Sequence, residues 1–165
     1  MKKLLISLCE RSLAIVAFYF PFIEISCYFG PKVFLSTDSA VLRAFYSNYI
    51  VKLSSFYSEN NLLIFIVMIW LFIGCSRGTF PVTKFVRFNV IQAILLNIIS
   101  TCIGVVFNFL PIAMSESVFG ILFSNFLYLG MLILLIYSAL LISYGRYPLI
   151  PVVSEAAKLQ VQQGY

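Results

Sequence analysis

Four long apolar stretches, set apart by short segments that carry glycine, proline, serine or charge, divide the chain. They cover about residues 13–29, 61–75, 85–110 and 118–144. About 20 apolar residues are needed to cross the roughly 30 Å hydrocarbon core as a helix, so each stretch reads as a membrane span. The first and second are short. The first draws on residues from Leu4 onwards, and the second on Tyr57 or on Gly74 and its neighbours. Pro21 lies inside the first span and is expected to kink it, because proline lacks the backbone donor a helix interior needs. Gly30-Pro31 is expected to end that span. Arg77-Gly78-Thr79-Phe80-Pro81 reads as a turn, Pro111 closes the third span, and Gly145-Arg146 stops the fourth.

Between the first two spans the pattern changes. Ser36-Thr37-Asp38-Ser39 offers N-cap chemistry. After it Leu42, Phe45, Tyr49, Leu53 and Phe56 recur at helical spacing, with Arg43, Ser47 and Lys52 towards another face. This predicts an amphipathic helix over about 39–57, lying in the membrane interface or packed on the bundle. The tail, 146–165, reads Tyr147-Pro148-Leu149-Ile150-Pro151 and then a short helix capped by Ser154. The expected fold class is therefore all-α: a single polytopic membrane domain over 1–165, a four-transmembrane-helix bundle with an interfacial helix between spans one and two.

Composition agrees with this pattern. The chain is 62% hydrophobic and only 10% charged, with a mean hydropathy of +1.02. Soluble domains are about 45–50% apolar and about 25% charged. A net charge of +5 does not imply nucleic acid, since the 11 basic residues are dispersed and several flank apolar runs. With four spans, Lys2, Lys3, Arg11, Arg77, Lys84, Arg87, Arg146 and Lys158 share one side, against Lys32, Arg43 and Lys52 on the other. The excess of positive charge places both termini on the cytoplasm-like side. Met1 to Cys9 mimics the start of a secretory leader, but Glu10-Arg11 interrupts the apolar run too early. No cleaved presequence is expected.

Catalytic chemistry finds little material. The chain has no histidine, and Cys9, Cys27, Cys75 and Cys102 form no CxxC pair, so metal and disulfide frameworks lack their spacing. No GxSxG elbow and no phosphate-cradling glycine loop occurs. No enzyme activity, cofactor or metal is expected. The polar residues inside spans carry more information, because such groups face protein or water in a bilayer. Glu24 is the one acid well inside a span. It reads as a proton or cation site, as a hydrogen-bond partner between helices, or as an acid near the far interface. On the third span Asn89, Gln92, Asn97, Ser100 and Asn108 fall within about half the helix circumference. This polar stripe is expected to face other helices or a hydrated groove, with Ile91 and Leu95 on the opposite face.

Three stretches together resemble a known family. Arg87-Phe88-Asn89-Val90-Ile91-Gln92-Ala93-Ile94-Leu95-Leu96-Asn97-Ile98 resembles the signature that opens the third span of the Tic-twenty family. Glu10-Arg11, Leu13-Ala14, Tyr19, Pro21, Glu24 and Tyr28-Phe29-Gly30 resemble its first span, and Tyr147 to Ala157 its tail. The family comprises multispan subunits of the protein translocon at the inner chloroplast envelope. The resemblance implies a plastid inner-envelope protein, or a cytoplasmic-membrane protein if bacterial, with stromal termini. Its partners would be lipid, other translocon subunits, further copies of the chain and transiting preproteins. It would contribute to a protein-conducting channel or its scaffold. A small cation channel or carrier, and a structural assembly factor, are the alternatives.

Overall fold

The computed structural model describes the backbone of residues 2–162 and the packing of side chains over 8–162. Every regular element among these residues is helical. Helices α1 (Lys2–Ala17) and α2 (Tyr19–Leu35) form one apolar rod broken at Phe18. Pro21 explains the break: it cannot donate to the carbonyl of Ala17, and its ring crowds that carbonyl. The sequence expectation of an end at Gly30-Pro31 is corrected, since α2 continues through Pro31 to Leu35. Packing on both sides of the proline holds the last turn in place. Phe29 meets Phe107 at 5.2 Å, and Phe34 stacks on Tyr46 at 5.0 Å and meets the edge of Tyr128 at 5.6 Å. Gly30 leaves room for the Tyr46 ring, which a Cβ there would meet at 3.0 Å.

Ser39 then caps the next helix, its hydroxyl accepting from the Leu42 backbone N–H at 3.5 Å. The segment runs as α3 (Ala40–Phe45), one π-helical stretch (Tyr46–Ile50) and α4 (Val51–Glu59). Tyr46, Ile50 and Tyr57 are buried, on a segment packed against α2. Leu42, Phe45, Tyr49 and Phe56 are exposed, and Leu53 is half-buried. The apolar stripe read from the sequence is therefore not the face that packs on the protein; a neighbouring stripe is. The segment Ala40–Glu59 meets α5 (Asn61–Arg77) across a 79° bend at Asn60.

Helix α6 (Lys84–Asn108) is the hub and packs against α1, α2, α5 and α9 (Val153–Gln162). Over Val86–Ile94 every residue is buried. The expectation that Ile91 and Leu95 face away from the protein is corrected for this half of the helix. Ile91 is fully enclosed and Leu95 half-buried, because α5 and α9 close over the side that the sequence left to lipid. The second half of α6 does present an outer face, with Ile98, Ile99, Val105 and Val106 exposed. A short α7 (Ile112–Ser115) leads into α8 (Val118–Ser143), whose Ser117 cap accepts from the Gly120 N–H at 3.2 Å. Gly120, Ser124, Tyr128, Met131, Leu135, Ser138 and Ile142 make its one buried stripe, at the three-and-four spacing of a helix with a single protein-facing side. That stripe faces α1 and α2.

Three helical segments are long and apolar enough to cross a bilayer: Leu8–Leu35, Lys84–Asn108 and Val118–Ser143. The region 61–75, expected as the second span, lies in α5, whose 17 residues extend about 25 Å at ~1.5 Å per residue. It completes a fourth span only together with the bent Ala40–Glu59 segment. The chain is thus an all-α membrane protein with three to four candidate spans.

Two arginines tie helix ends together. The Arg11 guanidinium donates to the Ser143 carbonyl at 2.8 Å, at the C-terminus of α8. Arg87 does the same for α5, Nε donating to the Cys75 carbonyl at 2.6 Å and Nη2 to the Ser76 carbonyl at 3.0 Å. The last carbonyls of a helix lack intrahelical donors and carry partial negative charge, which a guanidinium fork satisfies on both counts. Gly78 (φ +69°) ends α5 and Gly145 (φ +72°) follows α8. Both lie directly against these guanidinium groups, within 3.0 Å of where a Cβ would sit.

Candidate functional site: a polar seam along the central helix

The polar residues of α6 do not form one cluster but three successive contacts. At its start, Arg87 (4% exposed) serves the end of α5 as described. Phe88, also buried, stands edge-on to Tyr147 at 5.2 Å and helps seat the tail. Asn89 is fully buried and donates through Nδ2 to the Phe85 carbonyl one turn back, at 2.8 Å. Ala93, one turn further on, is buried and small enough for close helix approach.

Gln92 governs the second contact. Its Nε2 donates to the Pro148 carbonyl at 3.3 Å and to the Ser154 hydroxyl at 3.1 Å. Ser154 also donates to the Pro148 carbonyl at 3.2 Å and accepts from the Ile150 backbone N–H at 2.6 Å. The tail Tyr147–Pro151 is thereby fastened to the centre of the bundle. Ser154 is corrected from cap to second residue of α9, where its side chain serves the preceding loop and α6. Val152 joins tail to helix at φ +66°, a left-handed conformation that β-branched residues adopt only under constraint.

The third contact joins helices that lie far apart in the sequence. Glu24 on α2 is 6% exposed, and its carboxylate accepts from the Thr101 hydroxyl at 2.6 Å. The Tyr57 side chain of α4 interacts with both Glu24 and Asn97, which places α2, α4 and α6 around one polar point. Asn97 is 1% exposed. Thr101 and Tyr57 carry this site as much as Glu24 and Asn97 do. Thr101 had a sequence signal, since it stands one turn from Asn97; Tyr57 had none beyond its place on an amphipathic segment.

Other polar groups in the spans satisfy themselves. Ser26, Ser100, Ser124 and Ser138 donate to carbonyls four residues back at 2.7–2.9 Å. Their small side chains allow close packing without lining a wet path. Asn108 is exposed and stands apart from the seam. At the opposite end from the arginine caps, Lys32 donates to the Ser115 carbonyl at 2.9 Å and lies 4.7 Å from the Phe107 ring centre.

Four amide oxygens have no hydrogen-bond partner among the described residues despite complete burial: Asn89 Oδ1, Gln92 Oε1, Asn97 Oδ1 and Asn125 Oδ1. Three of the four lie on α6. Such acceptors are costly in a bilayer.

Residues 8–157 match the family described as "Chloroplast import apparatus Tic20-like". The chain is 30% identical over 154 residues to the Tic20 family protein Ycf60 of Cyanidium caldarium, covering 93% of this chain and 74% of that one. Ycf60 of Gracilaria tenuistipitata var. liui is 30% identical over 159 residues, covering 94% and 77%. A Tic20 family protein of Synechocystis sp. (strain ATCC 27184 / PCC 6803 / Kazusa) is 30% identical over 155 residues, covering 93% of both chains. These matches take in both halves of the helical bundle, the seam of α6 and the docked tail, and the chain belongs to the Tic20 family.

Proposed function

We propose that this chain is a membrane subunit of a preprotein translocon at the inner plastid envelope, or of the corresponding membrane in a cyanobacterium, with both termini on the stromal or cytoplasmic side. The observation that carries the reading is membership of a chloroplast import family along residues 8–157. The eight-to-three division of basic residues supports the orientation. The two arginines that cap α8 and α5, Arg11 and Arg87, are among the eight.

Within such a machine the geometry favours a scaffold that supplies one wall of the path. The polar side chains of α6 are engaged by the protein's own tail and by α2. A bundle of four or so helices is filled by its own side chains, too small to enclose an extended polypeptide. Partners, whether other membrane subunits or further copies, are required to enclose one. The outer surface offered to them comprises the lipid-facing half of α6 (Ile99, Val106) and the outer side of α8 (Phe126, Ile133), all exposed.

The test is import of a radiolabelled preprotein into organelles depleted of the chain, combined with photocrosslinkers at Ile99 and Val106. Loss of import, with capture of a preprotein or a membrane neighbour, is expected. Normal import after depletion, with capture of neither, overturns the reading.

A further inference from the structure

The Glu24 carboxyl is buried where α2, α4 and α6 meet, and the groups the structure gathers round it are neutral or acidic. Thr101 and Asn97 approach from α6, Tyr57 from α4, and Cys27 and Tyr28 stand beside it on α2. The neighbouring elements bring their own titratable groups, each turned to other partners. Tyr46 of the π-helical stretch stacks on Phe34, and Tyr128 of α8 lies 3.4 Å from the Ser26 hydroxyl. Arg11 of α1 caps α8. Lys32, about 12 Å further along α2 at ~1.5 Å per residue, is held by the Ser115 carbonyl and the Phe107 ring.

A carboxylate taken out of water needs a counter-charge or must be neutralised. The hydrogen bonds around Glu24 do not do this. Thr101 has a single hydroxyl proton, with two acceptors in reach, the Glu24 carboxylate at 2.6 Å and the Asn97 backbone carbonyl at 3.0 Å. Asn97 Oδ1, almost fully buried at the same point, has no donor at all. The Tyr57 hydroxyl also hydrogen-bonds Glu24, yet both donors are neutral and one negative charge is left over. An unpaired side-chain oxygen beside a buried carboxyl is a second, independent sign that something positive belongs there.

We propose that Glu24, Asn97, Thr101 and Tyr57 form a binding site for one monovalent cation, a proton or an alkali-metal ion. It neutralises Glu24 and supplies the positive partner that Asn97 Oδ1 lacks. The donor set fits this class. All four groups present oxygen, which suits hard cations, and a single acid matches a single charge. No group of three His, Cys, Asp or Glu residues suited to a metal ion occurs among the described residues, and the one acid here does not balance a divalent charge. Since the site draws on three helices, its occupant fastens the bent Ala40–Glu59 segment to the core. The proposal concerns the chain alone and stands or falls independently of the import role.

The test is infrared spectroscopy of the full chain in lipid vesicles, read as the difference from E24Q, with melting temperature measured alongside. A protonated-carboxyl band that disappears as pH rises, is absent from E24Q and is accompanied by a fall in melting temperature identifies a proton. A carboxylate band that shifts when sodium or potassium replaces choline at fixed pH, with a rise in melting temperature, identifies an alkali ion. A Glu24 carboxylate unmoved by pH and by alkali ions, with melting that responds to them as E24Q does, overturns the site. Should E24Q fail to fold, T101V retains the carboxyl and removes its neutral donor. The same band must then move in that variant, and a band left in place also overturns the proposal.

Discussion

Replacing Arg87 by alanine tests the cap on the end of α5. The guanidinium is almost wholly buried and reaches two carbonyls at the end of α5, at 2.6 and 3.0 Å. Hydrogen bonds to charged groups contribute about 1.5–3 kcal/mol each, and a cation at a helix C-terminus adds about 0.3–1 kcal/mol. Against this stands the cost of burying the guanidinium itself, several kcal/mol, which alanine removes. A net loss of about 2–3 kcal/mol follows, a large fraction of the ~5–15 kcal/mol that holds a domain together. Lysine keeps the charge but not the fork and recovers about half.

Cys75 reports the effect directly, because its carbonyl is the acceptor and its side chain is 2% exposed. In a background with Cys9, Cys27 and Cys102 replaced by alanine, thiol labelling in detergent measures how often the end of α5 opens. At ~1.4 kcal/mol per tenfold change, R87A accelerates labelling of Cys75 about 30-fold or more, and R87K about five- to tenfold. Equal labelling rates and equal melting temperatures in all three proteins would falsify the capping role.

Other substitutions probe the tail, the helix contacts and the topology. S154A removes the acceptor of the Ile150 N–H and a partner of Gln92, an unsatisfied buried donor costing about 1–3 kcal/mol; tryptic cleavage at Lys158 in α9 should quicken about tenfold, and unchanged cleavage refutes the tether. G104A drives a Cβ to 2.2 Å from the Tyr28 ring and should cost about 1–3 kcal/mol by overpacking. G130A meets nothing within 4 Å and should be neutral or stabilising by up to about 1 kcal/mol; melting curves in which the two variants behave alike count against the packing described. Cysteines placed at Thr79 and Asp38, in a cysteine-free background, should react from opposite faces of sealed vesicles, and reaction of both from one face rules out the proposed orientation.

The apolar runs located α6 and α8 to within a few residues, because long helices of uniformly high hydropathy leave little ambiguity. The break beside Pro21 was also legible, since the missing donor acts locally. Pro31 was not: its rule describes an isolated helix, and here Phe29 and Phe34 contacts on either side outweigh the lost bond. The burial of the α6 amides followed from the cost of bare amides in lipid. What covers them did not follow, because the docking of α9 is a contact between segments about 60 residues apart. The amphipathic segment shows the same limit. Its apolar period was readable, but a π-helical stretch between Phe45 and Val51 and a π-dense Tyr46 contact decide which stripe meets α2. At the Glu24 site, the acid and the asparagine were visible as polar exceptions in apolar runs, whereas only the fold brings Tyr57 to them.

The two arginine caps differ in one respect that bears on how the chain is made. Arg87 stands 12 residues from the carbonyl it serves, Arg11 132 residues from its own. As the chain leaves the ribosome, α5 and the start of α6 can close as a hairpin soon after both are synthesised, its exposed carbonyls covered within one short stretch of elongation. Arg11 has no such neighbour and must wait for nearly the whole chain. Until α8 arrives, Arg11 lacks the carbonyl it caps and the α1–α2 rod lacks one of its walls. The clasp between α1 and α8 therefore forms late, followed only by the docking of the tail on α6. A chain stopped before Ser143 should insert its early segments and yet stay open to proteases and chaperones, since the bond that closes the circle has not formed.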